Sequence, residues 1–130
     1  MMCLRIVLCV CLAISNAKPI SDDLQKMQKS HEECIKEVGI EKVDLDKVLE
    51  SNLPERTLEK YSYCYGKKFG YIGADNKIDR IIAKDQFEKI IPGTSEEFMK
   101  VCIPEGEVTE KVALGIQRCI GQKTKELSKQ

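Results

Sequence analysis

The chain has 130 residues, enough for one domain, and its Lys+Arg 21 against Asp+Glu 21 leave no net charge. A balanced chain lacks the global field that draws polyphosphate, which argues against a nucleic-acid partner. Hydrophobic residues make up 42%, too many for intrinsic disorder, while aromatics are 5% and Trp is absent, so aliphatic side chains must do most of the packing.

The N-terminus reads as a removable segment. Met1-Met2-Cys3-Leu4-Arg5 carries one positive charge, Ile6 to Ile14 is an unbroken apolar run, and Ser15-Asn16-Ala17 places small residues where a signal peptidase reads. A run this short cannot cross a bilayer, which needs about 20 apolar residues. The expected organisation is a signal peptide at 1–17 and a single helical domain at 18–130, secreted and without stable membrane insertion. Cys3, Cys9 and Cys11 leave with the signal, so four of the 7 cysteines remain: Cys34, Cys64, Cys102 and Cys119. An even number in an oxidising compartment predicts two disulfides, with three connectivities open. Zinc is a poor rival, because no C-x-x-C pair occurs and His31 is the sole histidine.

Helical periodicity dominates the mature chain. Leu24, Met27, His31, Cys34, Ile35 and Val38 recur on one face from Ser21 to Val38, with Asp22 and Asp23 at the start and Gly39 as a stop. Asp44 to Glu50 predicts a short second helix that needs packing partners. Pro54 suits a helix first turn, and behind it Leu58, Tyr61, Cys64, Tyr65 and Phe69 share a face up to Gly70. Gly73 to Asn76 is a turn. Its acidic character falls short of a calcium loop, since Lys77 takes a ligand position and the bidentate Glu is missing. Ile78 to Ile91 is apolar at helical spacing with a slipped phase, which predicts a kink or a late start near Ala83. Thr94 with Glu97 reads as a capping box for a short helix carrying Phe98, Val101 and Cys102. Thr109 opens a last helix with Val112, Ala113, Ile116, Cys119 and Ile120 inward, and 121–130 is polar apart from Leu127.

Catalytic motifs are not found. No Cys–His pair survives disulfide formation, and neither a G-x-S-x-G elbow nor a nucleotide-binding glycine loop occurs. A secreted phospholipase is excluded by the lack of a glycine-rich calcium loop before His31. Carboxylates such as Glu32 lie beside lysines on solvated helix faces. The reading is a non-enzyme without cofactor or metal.

The four cysteines and the helices that carry them resemble the insect odorant-binding protein family. Its common form has six cysteines, the second four positions before the third and the fifth nine positions before the sixth. With Cys34, Cys64, Cys102 and Cys119 as first, third, fourth and sixth, the two absent positions fall on Lys60 and Glu110. That pattern is similar to the Minus-C branch, which lacks the middle bridge. Tyr63-Cys64-Tyr65-Gly66-Lys67-Lys68-Phe69-Gly70 and Asp75-Asn76-Lys77-Ile78-Asp79 also resemble the family's stretch there.

The resemblance implies an all-α bundle of about six short helices around an apolar cavity, stapled by Cys34–Cys64 and Cys102–Cys119. It implies a secreted carrier of small hydrophobic molecules such as odorants or pheromones, with an olfactory receptor as a partner and a monomer or weak homodimer as the working form. A helical signalling or effector protein acting through receptor contact is the alternative. Burying a ten-carbon chain at about 0.8 kcal/mol per CH₂ gains roughly 8 kcal/mol gross, so affinity belongs near the micromolar scale. The expected cavity wall is Met27, Leu49, Leu58, Tyr61, Tyr65, Ile82, Phe87, Phe98, Val112 and Ile116, each equally an ordinary core position. Tyr61 and Tyr65 are the hydroxyls able to orient a ligand's polar end. His31 is read as a boundary residue with at most weak influence of pH on binding. Lys60 and Glu110 are expected close together, with either an ion pair across the gap or both side chains in solvent.

Overall fold

The computed structural model describes the backbone of residues 18–128 and the side chains of 23–127, so the expected signal lies outside the described residues. α1 spans Lys18–Val38 and therefore starts before Ser21, which moves Asp22 and Asp23 out of the first turn. Asp23 serves instead as an ion-pair partner for Lys89, at 3.2 Å. The buried stripe of α1 is Ser30, His31, Cys34 and Ile35, whereas Leu24, expected inward, is 60% exposed. The helix closes where the N–H groups of Gly39 and Ile40 both donate to the Ile35 carbonyl, at 3.0 and 2.8 Å.

A 3₁₀ turn at Leu45–Glu50 takes the place of the expected short α-helix. Six residues are too few to offset helix nucleation, and the tighter turn still buries Val48. α2, Glu55–Phe69, is entered through Pro54, whose carbonyl accepts from Leu58 N–H. It ends at Gly70, with φ at +106°, a conformation that costs a residue with a Cβ. Ile72 N–H then returns to the Gly66 carbonyl at 3.1 Å, folding the chain back along the helix. A Cβ on Gly66 would overlap the Ile72 side chain, so glycine is needed for this close approach.

The 73–76 turn is fastened to α2 by the hydrogen bond from the Tyr63 hydroxyl to Asn76. Ile78 pairs with Ile72 in an isolated antiparallel bridge. It therefore lies outside the next helix, and this is the source of the slipped phase. α3, Arg80–Ile90, starts with the Asp79 carboxylate accepting from Ile82 N–H, without the late start expected near Ala83. α4 covers Ser95–Cys102. The expected capping box does not form: Thr94 Oγ1 donates to the Ile91 carbonyl, and Glu97 pairs with Lys123. Met99 is buried in α4, and Val101, expected inward, is exposed. α5, Glu110–Ser128, begins where Thr109 Oγ1 accepts from Val112 N–H and continues through the polar stretch after Ile120.

α2 packs most extensively on α5 and next on α1, while α4 bridges α3 and α5. The disulfides follow these contacts. Cys34–Cys64 joins α1 to α2 and Cys102–Cys119 joins α4 to α5, with Cα separations of 5.7 and 5.5 Å. The described residues thus form an all-α bundle of five α-helices and one 3₁₀ turn. Among them, no helix is long and apolar enough to cross a membrane.

Candidate functional site

A four-residue spacing along α2 stacks Tyr61, Tyr65 and Phe69 on one face, with ring centroids 6.1 and 5.9 Å apart. Tyr71, brought back by the Gly70 reversal, completes the aromatic wall 6.5 Å from Tyr65. This wall borders a cavity of about 700 Å³. Side chains from every other element except α4 complete the apolar lining: Met27 of α1, Val48 and Leu49 of the 3₁₀ turn, Ala83 and Phe87 of α3, and Ile116 and Ile120 of α5. Where the cavity meets solvent the lining turns polar, with Asp46, Glu50, Arg118, Gln122, Lys125 and Glu126.

Of the expected wall residues, Met27, Leu49, Tyr61, Tyr65, Phe87 and Ile116 line this cavity. Leu58, Ile82, Phe98 and Val112 do not. Leu58 and Phe98 are buried among other side chains, and Phe98 stacks behind Phe87 at 4.9 Å as a backing layer. Ile82 and Val112 are only half-buried, packed against the core from outside. Helical periodicity reports which face is buried, and it cannot tell a residue meeting a void from one meeting a neighbour. Phe69 shares the right face of α2 and nothing in the periodicity singles it out. Tyr71 and the lining from the polar end of α5 carry no periodic signal.

His31 is fully buried, not a boundary residue. Its Nε2 lies 2.6 Å from the Val43 carbonyl and its Nδ1 lies 2.7 Å from the Tyr61 hydroxyl. A carbonyl only accepts, so Nε2 carries the proton and Nδ1 accepts from Tyr61. Tyr71 accepts from Gln117 Nε2. Tyr65 makes no hydrogen bond within the described chain, and burial pushes its hydroxyl up to about 12. Burial raises Tyr61 and Tyr71 further still.

The two cations of the lining are paired with carboxylates. Arg118 donates twice to Glu55, and Lys125 donates to Glu50 at 2.9 Å, holding the Glu50 carboxyl below its usual range. Glu110 pairs with Arg56 at 2.8 Å, one turn before Lys60, so the Lys60–Glu110 ion pair, one of the two expected alternatives, is not formed.

The architecture is that of a disulfide-stapled helical bundle around an aromatic-walled cavity. The family model described as the PBP/GOBP family matches residues 17–124, and the chain belongs to that family. The solved structure of odorant-binding protein dmelOBP28a from Drosophila melanogaster is similar in fold, with a TM-score of 0.61 and 19% sequence identity. That match covers 82% of this chain and 96% of the fly protein's. Comparison with curated protein sequences gave no match.

Proposed function

We propose that the protein is a secreted carrier that binds and solubilises small hydrophobic molecules, such as odorants, pheromones or similar semiochemicals, in this cavity. One observation carries the reading. Protein interiors pack with few voids larger than a water molecule, and an aromatic-walled space of about 700 Å³ in so small a bundle is suited to being filled by a guest. Membership of the PBP/GOBP family supports a binding role rather than an enzymatic one. The name of the similar fly protein supports odorants as cargo. The signal pattern at 1–17 and the two disulfides support an extracellular setting. Four cysteines in place of six support the Minus-C branch. The reading takes an olfactory receptor as the delivery partner and a monomer or weak homodimer as the working form.

Saturable binding of a fluorescent apolar dye, displaced by aliphatic ligands, is the test. A solid-cored signalling protein would bind none. A ligand at a hundred times its Kd is also expected to raise unfolding stability by about 2.7 kcal/mol, read as a higher melting temperature.

A further inference from the structure

We infer that the cavity selects uncharged amphiphiles carrying one neutral oxygen function, such as an ester, ketone or alcohol, and that the Tyr65 hydroxyl is the group that reads it. This rests on the carrier reading above and adds the chemical class of the cargo. Three tyrosines line the cavity, and two of their hydroxyls are already engaged: Tyr61 with His31 Nδ1 and Tyr71 with Gln117. Tyr65 lacks such a partner. Buried hydroxyls are ordinarily hydrogen-bonded, so an unengaged one needs a reason. Ser62 Oγ is the completely enclosed side-chain polar atom left without a partner among the described residues. The Tyr65 hydroxyl is not sealed in that way, and its residue borders the cavity. Its ring is held between Tyr61 and Phe69 with Tyr71 alongside, so the O–H starts from a fixed position.

Charge decides against a carboxylate guest. Arg118 and Lys125, the cations of the lining, are each held by a carboxylate of the protein, Glu55 and Glu50. A fatty-acid head beside Tyr65 would therefore sit in an apolar wall with one hydroxyl to replace its water, and an isolated buried anion is costly. An ester or ketone oxygen needs only that one donor.

The test uses a phenylnaphthylamine dye, displaced by methyl decanoate, decanoate or dodecane, in the mature protein and in Tyr65→Phe and Tyr61→Phe. The dye's own affinity is measured for each variant. Tyr65→Phe is expected to weaken methyl decanoate about tenfold while leaving dodecane within about twofold, because the ester oxygen is left buried without a donor. Tyr61→Phe is expected to lower the urea midpoint through the lost His31 bond, a loss Tyr65→Phe does not share. Decanoate is expected to bind more weakly than its methyl ester at neutral pH. An unchanged ester preference in Tyr65→Phe, or decanoate outcompeting the ester, overturns the inference and leaves the carrier reading intact. A dye that does not bind the unaltered protein overturns both.

Discussion

A buried imidazole needs both ring nitrogens satisfied, and His31 obtains this from Val43 and Tyr61, two partners that lie far apart in sequence. Replacing it with alanine would leave the Val43 carbonyl and the Tyr61 hydroxyl unpaired, at about 1–3 kcal/mol for each group. His31→Ala is therefore expected to lose about 2 kcal/mol or more in urea unfolding. A change below about 0.5 kcal/mol, the range of an ordinary surface substitution, would show that water replaces the imidazole at no cost. Gly66 poses a different balance. Alanine is favoured over glycine in a helix by about 1 kcal/mol, but overpacking a filled site costs about 1–3 kcal/mol. Ile72, which a new methyl would strike, is 2% exposed and has nowhere to go. Gly66→Ala is expected to destabilise, and Ile72→Val in the same chain to recover part of the loss, both measured by thermal melting.

At the scale of elements, α5 offers the opposite case. A Cβ at Gly115 meets nothing within 4 Å, so Gly115→Ala should keep the full gain in helix propensity, about 1 kcal/mol, and raise the melting temperature by about 4 °C. The start of α5 is tied to α2 by the exposed Arg56–Glu110 pair, and Glu110→Gln is expected to leave the urea midpoint unchanged within error. A covalent link in the same region should behave differently. Lys60→Cys with Glu110→Cys is expected to oxidise spontaneously and raise the melting temperature; thiols that stay free would disprove the assignment of these two positions to the absent bridge. The helices themselves are legible because an apolar face repeats every 3.6 residues, and the cysteine spacing carries the family likeness. The helical type of the turn at Leu45–Glu50 and the last turns of α5 are not legible, for physical reasons. Six residues span fewer than two α-helical turns, too few for periodicity to separate a 3₁₀ turn from an α-helix. The end of α5 has Leu127 as its sole large apolar residue, and it is held by ion pairs from Lys123 to Glu97 and from Lys125 to Glu50. Leu58 and Phe98 are buried away from the cavity, a difference invisible in sequence because burial and exposure to a void leave the same mark, and Ile82 and Val112 pack against the core from outside.

For the molecule as a whole, the cavity is a stability problem, since atoms facing a void lose their packing partners. The disulfides offset it. Their sequence separations are 30 and 17, and chain entropy assigns such loops about 3–4 kcal/mol each. Removing Cys34–Cys64 by paired alanine substitutions is expected to cost more than removing Cys102–Cys119, by about 0.5 kcal/mol from loop length alone. Equal losses in urea unfolding would point to strain or residual structure instead. The aromatic wall has an optical consequence as well. The chain has 4 tyrosines and no tryptophan, so its near-ultraviolet emission comes from tyrosine alone. Three of those rings, Tyr61, Tyr65 and Tyr71, stand at the cavity, while Tyr63 is tied to Asn76. A guest that displaces water from the wall changes the surroundings of most of the light-emitting groups at once. On the carrier reading, occupancy is therefore readable from the protein's own emission, in a dilute sample without any label.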